Sequence, residues 1–119
     1  MDKKKILIVD DDLATLEAVS IIFEEFGYLV KIAETTDHII TEVENFQPDL
    51  IIMDVSIPAI GGVEATRLLK SKKVYRNIPV LLITANNDID LFSKQAHADA
   101  YLPKPFDIDK LEKMVAKLI

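Results

Sequence analysis

Three stretches of four consecutive apolar residues constrain this 119-residue chain more than any other feature: Ile6-Leu7-Ile8-Val9, Leu50-Ile51-Ile52-Met53 and Val80-Leu81-Leu82-Ile83. Successive side chains of a strand point to opposite faces, so a run that is apolar at every position must be covered on both faces, as central parallel strands are. Tyr28-Leu29-Val30-Lys31-Ile32-Ala33 alternates more, and Ala100-Tyr101-Leu102 is brief; both suit places nearer the sheet edges.

Helical spacing fills the intervals. Leu13, Leu16, Val19, Ile22, Phe23 and Phe26 follow steps of three and four, and Gly27 is placed to end that helix. Ile39, Ile40, Val43 and Phe46 repeat the pattern after a Thr35-Thr36-Asp37 start signal, with Pro48 forbidding continuation. Val63, Leu68 and Leu69 predict a third helix beginning after Gly61-Gly62; residues 88 to 97 form a short fourth; Ile108, Leu111, Val115 and Leu118 mark a fifth. Five strand-then-helix units with short connections imply an α/β fold, a parallel sheet with helices on both faces. The length fits one domain over residues 1–119, and 50% hydrophobic composition suffices for a continuous core.

Polar residues recur where the apolar strands run out. Asp10 and Asp11 follow the first strand, Asp54 the third, Thr84 the fourth and Lys104 the fifth. In a parallel sheet those ends share one edge, where ligand sites of open α/β sheets form. Three carboxylates supply hard oxygen ligands for Mg²⁺, which keeps several waters and completes its octahedron with phosphate oxygens. Lys104 would balance a further negative charge and Thr84 would donate to a phosphoryl oxygen, which together suit phosphoryl transfer to an aspartate. Taken singly, each residue has a plainer reading: a helix cap for Asp11, Asp12 or Asp54, a turn residue for Thr84, an exposed loop lysine for Lys104, a half-buried edge tyrosine for Tyr101. Capping does not require acids, hydroxyl and base at successive strand ends, so the joint pattern favours the site.

Acids outnumber bases by 20 to 14, giving a net charge of −6, which disfavours nucleic acid as a partner. Lys3 to Lys5 read as the only tight basic run, solvated at a strand entrance. The chain has no cysteine, and no run reaches the length of a membrane span or a secretory signal core, so a soluble cytoplasmic protein is the expectation. His38 and His97 fall in predicted helices, away from the site.

The strings Ile6-Leu7-Ile8-Val9-Asp10-Asp11-Asp12, Pro48-Asp49-Leu50-Ile51-Ile52-Met53-Asp54 with Pro58 and Gly62, Pro79-Val80-Leu81-Leu82-Ile83-Thr84-Ala85, and Ala98-Asp99-Ala100-Tyr101-Leu102-Pro103-Lys104-Pro105-Phe106 resemble the receiver domain of two-component response regulators across essentially the whole chain. The resemblance implies a flavodoxin-like doubly wound sheet in the order 2-1-3-4-5 with five helices. It implies Asp54 as phosphoacceptor from a phosphohistidine on a sensor histidine kinase or phosphotransfer protein, and Asp10, Asp11, Asp54 and the carbonyl of Ser56 as Mg²⁺ ligands. It further implies Lys104, Thr84 and the N–H of Ala85 as the phosphoryl cradle, and Thr84 with Tyr101 as the switching pair. A downstream protein effector would read the surface of the fourth helix, fifth strand and fifth helix, and the protein would be a monomer or a phosphorylation-dependent dimer. The lysine would be aimed by a cis Lys104–Pro105 bond. Such a protein is no enzyme in the ordinary sense, since it catalyses only its own phosphorylation and dephosphorylation.

Ala59 and His97 stand where the family commonly has glycine, and Gly61 where it often has aspartate; Ser56 and Asn86 resemble positions that in the family tune the lifetime of the aspartyl phosphate. A stand-alone regulator is favoured, with a module of a longer regulator or hybrid kinase as the alternative. Lys94, Lys110, Lys113 and Lys117 hint at a face for an acidic partner. A Mg²⁺-dependent phosphatase with an aspartyl nucleophile is a rival reading, although no insertion is present to hold its substrate. A flavin-binding flavodoxin fits less well, because three carboxylates replace its phosphate loop.

Overall fold

A computed structural model describes residues 3–119. The chain alternates strictly: β1 (Lys5–Val9), α1 (Leu13–Glu25), β2 (Leu29–Ala33), α2 (Ile39–Phe46), β3 (Leu50–Asp54), α3 (Gly61–Lys70), β4 (Val80–Thr84), α4 (Ile89–Ala96), β5 (Ala100–Pro103) and α5 (Ile108–Leu118). The strands form one parallel sheet in the order β2-β1-β3-β4-β5. As the uninterrupted apolar runs require, β3 and β4 are buried at every position and β1 at all but Lys5, whereas β2 and β5 are partly exposed edges.

The period-2 alternation splits the core in two. Ile6, Ile8, Leu50, Ile52, Leu81 and Ile83 face α1 and α5 through Leu16, Phe23, Leu111 and Val115. Leu7, Val9, Ile51, Met53, Val80 and Leu82 face α2, α3 and α4 through Ile39, Val43, Leu69 and Ala96. The central strands β1, β3 and β4 thus contribute to both layers, which fixes their register, since a slip of one residue would exchange the two sets.

Several local expectations need correction. The third helix begins at Gly61, two residues earlier than its apolar pattern shows, capped by Ile60 without a side-chain bond. Thr36 does not cap α2; the cap is His38, again with no side-chain bond, and the Thr36 hydroxyl is used elsewhere. His38 and His97 flank helices instead of lying within them, and His97 ends α4 in the left-handed conformation with φ 61°. Gly27 follows α1 with φ 96°, in keeping with its role as terminator.

Candidate functional site

The pairing registers bring the strand ends level. Val9 lies beside Ala33 and Met53, Asp54 beside Ile83, and Thr84 beside Pro103. Residues that leave the strands at this edge therefore converge, and the structure brings together Asp10, Asp11, Asp54, Thr84 and Lys104.

The triple aspartate divides its labour. Asp12 is the cap of α1, accepting from the Ala14 N–H at 3.2 Å and from the Thr15 hydroxyl at 2.7 Å. The Thr15 hydroxyl holds the Asp12 carboxyl below the usual range, against a smaller opposing effect of burial. Asp10 is fully buried, with one oxygen accepting the Asp12 N–H at 2.9 Å and the other the Lys104 ammonium at 2.7 Å. Asp11 remains exposed, yet one carboxylate oxygen from each of Asp10, Asp11 and Asp54 falls within 4.8 Å of the others.

Asp54 ends β3 and is buried. Its Oδ1 accepts the Ser56 N–H at 3.3 Å, and its Oδ2 lies 3.6 Å from Lys104 Nζ. Burial, and then the neighbouring Asp10 carboxylate, push the Asp54 pKa up to about 6, with Lys104 opposing. For Lys104 the balance runs the other way: burial alone would lower its pKa, but the Asp10 hydrogen bond and the charges of Asp54 and Asp10 raise it. The ammonium is thus a cation between two carboxylates, and the Lys104–Pro105 bond that follows it is cis.

Thr84 ends β4 and is buried, its hydroxyl accepting the Asn86 N–H at 3.2 Å while its carbonyl accepts the Lys104 N–H at 2.8 Å. Ala85 and Ser56 lie exposed beside this centre. Tyr101 points outward, 38% exposed, and the adjacent Asp90 carboxylate raises its phenol pKa.

Two features of the loop after Asp54 escape motif reading. Gly62 packs so closely on the end of β3 that a Cβ would collide with the Asp54 carbonyl oxygen, which is why glycine stands there. Thr36, from the loop after β2, is buried; its hydroxyl donates to the Pro58 carbonyl at 3.0 Å and accepts the Ile60 N–H at 3.1 Å. A buried threonine between two loops carries no periodic signal, so only the fold exposes its role.

The donor set consists of carboxylate oxygens without thiolate or imidazole, which fits a hard cation such as Mg²⁺. The arrangement can receive an anionic tetrahedral group, offering a carboxylate nucleophile, a hydroxyl and an ammonium within one pocket. Among the described residues, no helix is long and apolar enough to cross a membrane.

The model of the response regulator receiver domain matches residues 6–116. Sporulation initiation phosphotransferase F of Bacillus subtilis (strain 168) is 33% identical over 100% of this chain and 96% of its own length. Other relatives are longer: the chain covers 46% of the response regulator MprA of Mycobacterium sp. (strain KMS), at 34% identity over 90% of this chain. It covers 17% of the CAI-1 autoinducer sensor kinase/phosphatase CqsS of Vibrio cholerae, at 32% identity over 96% of this chain. Among solved structures, a putative response regulator from Chloroflexus aurantiacus superposes with a TM-score of 0.92, 28% identity and 98% of each chain covered. TrrA from Thermotoga maritima, in complex with Mg(2+)-BeF, does so at 0.86 and 32% identity, over 98% of this chain and 99% of its own. With its strand order, its acidic pocket and a family match over nearly its full length, the chain belongs to the receiver domains of two-component response regulators.

Proposed function

We propose that residues 1–119 act as one receiver domain in which Asp54 accepts a phosphoryl group and the new charge switches the surface of α4, β5 and α5. One observation carries the reading: a buried carboxylate at a strand end, within 4.8 Å of two further carboxylates and 3.6 Å from an ammonium already held by one of them. Asp10, Asp11, Asp54 and the Ser56 carbonyl would hold Mg²⁺, which when bound neutralises charge between the nucleophile and the incoming phosphoryl oxygens.

The chain's own groups supply the rest. An Asp54 carboxylate oxygen forms the new bond to phosphorus as the bond from phosphorus to a histidine nitrogen breaks, and the freed imidazole leaves with its electron pair and takes up a proton. Lys104 pairs with the phosphoryl oxygens, exchanging part of its bond to Asp10, and the Thr84 hydroxyl turns from the Asn86 N–H to donate to the phosphoryl. The Ala85 N–H completes the cradle. The space released by Thr84 admits Tyr101, which now lies outside against Asp90. Partners that distinguish the two positions of Tyr101 then read the signal.

The phosphoryl donor is a sensor histidine kinase or phosphotransfer protein, the reader a downstream protein effector, and the setting cytoplasmic. The kinship to a sporulation phosphotransferase and to response regulators supports these assignments. Intact mass after incubation with acetyl phosphate tests the core of the reading. A single phosphoryl adduct is expected, abolished by Asp54→Asn and by chelation of Mg²⁺. An adduct that survives either treatment, or steady release of phosphate over many turnovers, would contradict it.

A further inference from the structure

Residues 65–87 contain no acid, and within them Arg67, Lys70, Lys72, Lys73 and Arg76 place five of the chain's 14 basic residues in ten positions. This run is looser than Lys3 to Lys5, which remain the tightest basic run, but it carries more charge over a longer stretch. Helical spacing and intervening apolar residues disguise it, because only Lys72 and Lys73 are adjacent. The last turn of α3, the loop after it and the residue after α4 fold three of these bases around an open pocket of about 550 Å³ lined by Arg67, Lys70, Ser71, Arg76, Asn77 and His97. Arg76 and Asn77 precede β4, and His97 precedes β5, so the pocket lies at the sheet edge opposite Asp54.

Its donors differ in how far they are committed. Lys70 is a structural staple, its ammonium donating to the Arg76 and Ile78 carbonyls at 3.1 and 2.8 Å and to Asp99 at 2.7 Å. Arg67 meets only Glu64, in an exposed pair of little strength. The side chains of Arg76, Asn77 and His97 have no hydrogen-bond partner or ion pair among the described residues. The three cations that line the pocket thus meet two carboxylates, Glu64 and Asp99, in a protein of net charge −6, with Lys72 and Lys73 on the adjoining loop. The lining holds no aromatic or aliphatic side chain, so it has nothing with which to grip an apolar body. The Ser71 hydroxyl already donates to the Leu68 carbonyl at 2.6 Å, but two guanidinium forks with amide and imidazole donors match the oxygens of linked phosphates.

We propose that this pocket binds a small anion of the di- or triphosphate class. A nucleic acid strand fits less well, because it would run beyond the patch onto the acidic remainder of the surface, farther than a Debye length of about 8 Å lets the patch act.

Titration of the whole chain with tripolyphosphate, at low ionic strength and free of divalent metal, tests the proposal by calorimetry and by amide NMR shifts. Saturable one-site binding is expected, with shifts concentrated at residues 67–77 and 97. The double variant R67Q/R76Q weakens it by roughly tenfold or more. K110Q/K113Q, which removes the same charge from the exposed face of α5, leaves it unchanged. Absence of saturable binding, equal loss in both variants, shifts centred on Asp54, or binding of single-stranded RNA where tripolyphosphate fails would each overturn it.

Discussion

Burial sets the character of Asp54 before any partner arrives. A carboxyl whose pKa is raised to about 6 keeps a proton in the folded protein that it loses in the unfolded chain between about pH 4 and pH 6. Stability from this group therefore falls as pH rises through that window, and the full cost of ionisation is present above it. Asp54→Asn removes the cost. Discounted for screening through the open side of the pocket, the variant is expected to be more stable by about 1–2 kcal/mol at pH 7 without metal, with the gain vanishing near pH 4. Urea unfolding at the two pH values checks this; a destabilised variant at pH 7 would contradict it. Ala59 and His97 hold φ of 77° and 61°, where any Cβ is strained. Ala59→Gly and His97→Gly should each stabilise by about 0.5–1 kcal/mol after allowing for the greater freedom of unfolded glycine. They lie at opposite edges of the sheet, so thermal melts of the pair should show additive gains.

At the scale of elements, strands were far more legible than loops. Continuous apolar runs identify β1, β3 and β4 because burial on both faces leaves no position free to be polar, and the acids, hydroxyl and base at their ends become visible against them. The start of α3 was not legible, since Gly61 and Gly62 look like a loop; Gly62 is there because the helix abuts the backbone of Asp54. Thr36 was misread as a start signal because a hydroxyl before a helix usually caps it, whereas this one bridges to Pro58 and Ile60. That bridge positions the loop carrying Ser56. Thr36→Val leaves the Ile60 N–H without its protein partner and the Pro58 carbonyl with only the Thr36 N–H at 3.3 Å, a loss of about 1 kcal/mol felt locally. Faster amide exchange over residues 55–62 and several-fold weaker Mg²⁺ binding are expected, with Thr36→Ser restoring both. Unchanged exchange in the valine variant would remove Thr36 from this role.

Over the whole molecule, one sheet keeps two edges with opposite electrostatic character. The edge where the strands end gathers Asp10, Asp11 and Asp54 around a single ammonium; the edge where they begin gathers Arg67, Lys70 and Arg76. The doubly wound order forces this separation, because every helix returns the chain from one edge to the other. β5 joins the two regions, since Lys104 leaves the strand at the site while Tyr101, on the proposed switching surface, faces outward. The account stands on Asp54 as the atom-level acceptor, and identification of the modified side chain tests it most directly. After phosphorylation with Mg²⁺ and acetyl phosphate, borohydride reduces an acyl phosphate to an alcohol, and peptide mass mapping then locates the change. Conversion of Asp54 alone to homoserine is the predicted result. Reduction at Asp10, Asp11 or Asp12, or phosphate retained on a hydroxyl side chain, would contradict it.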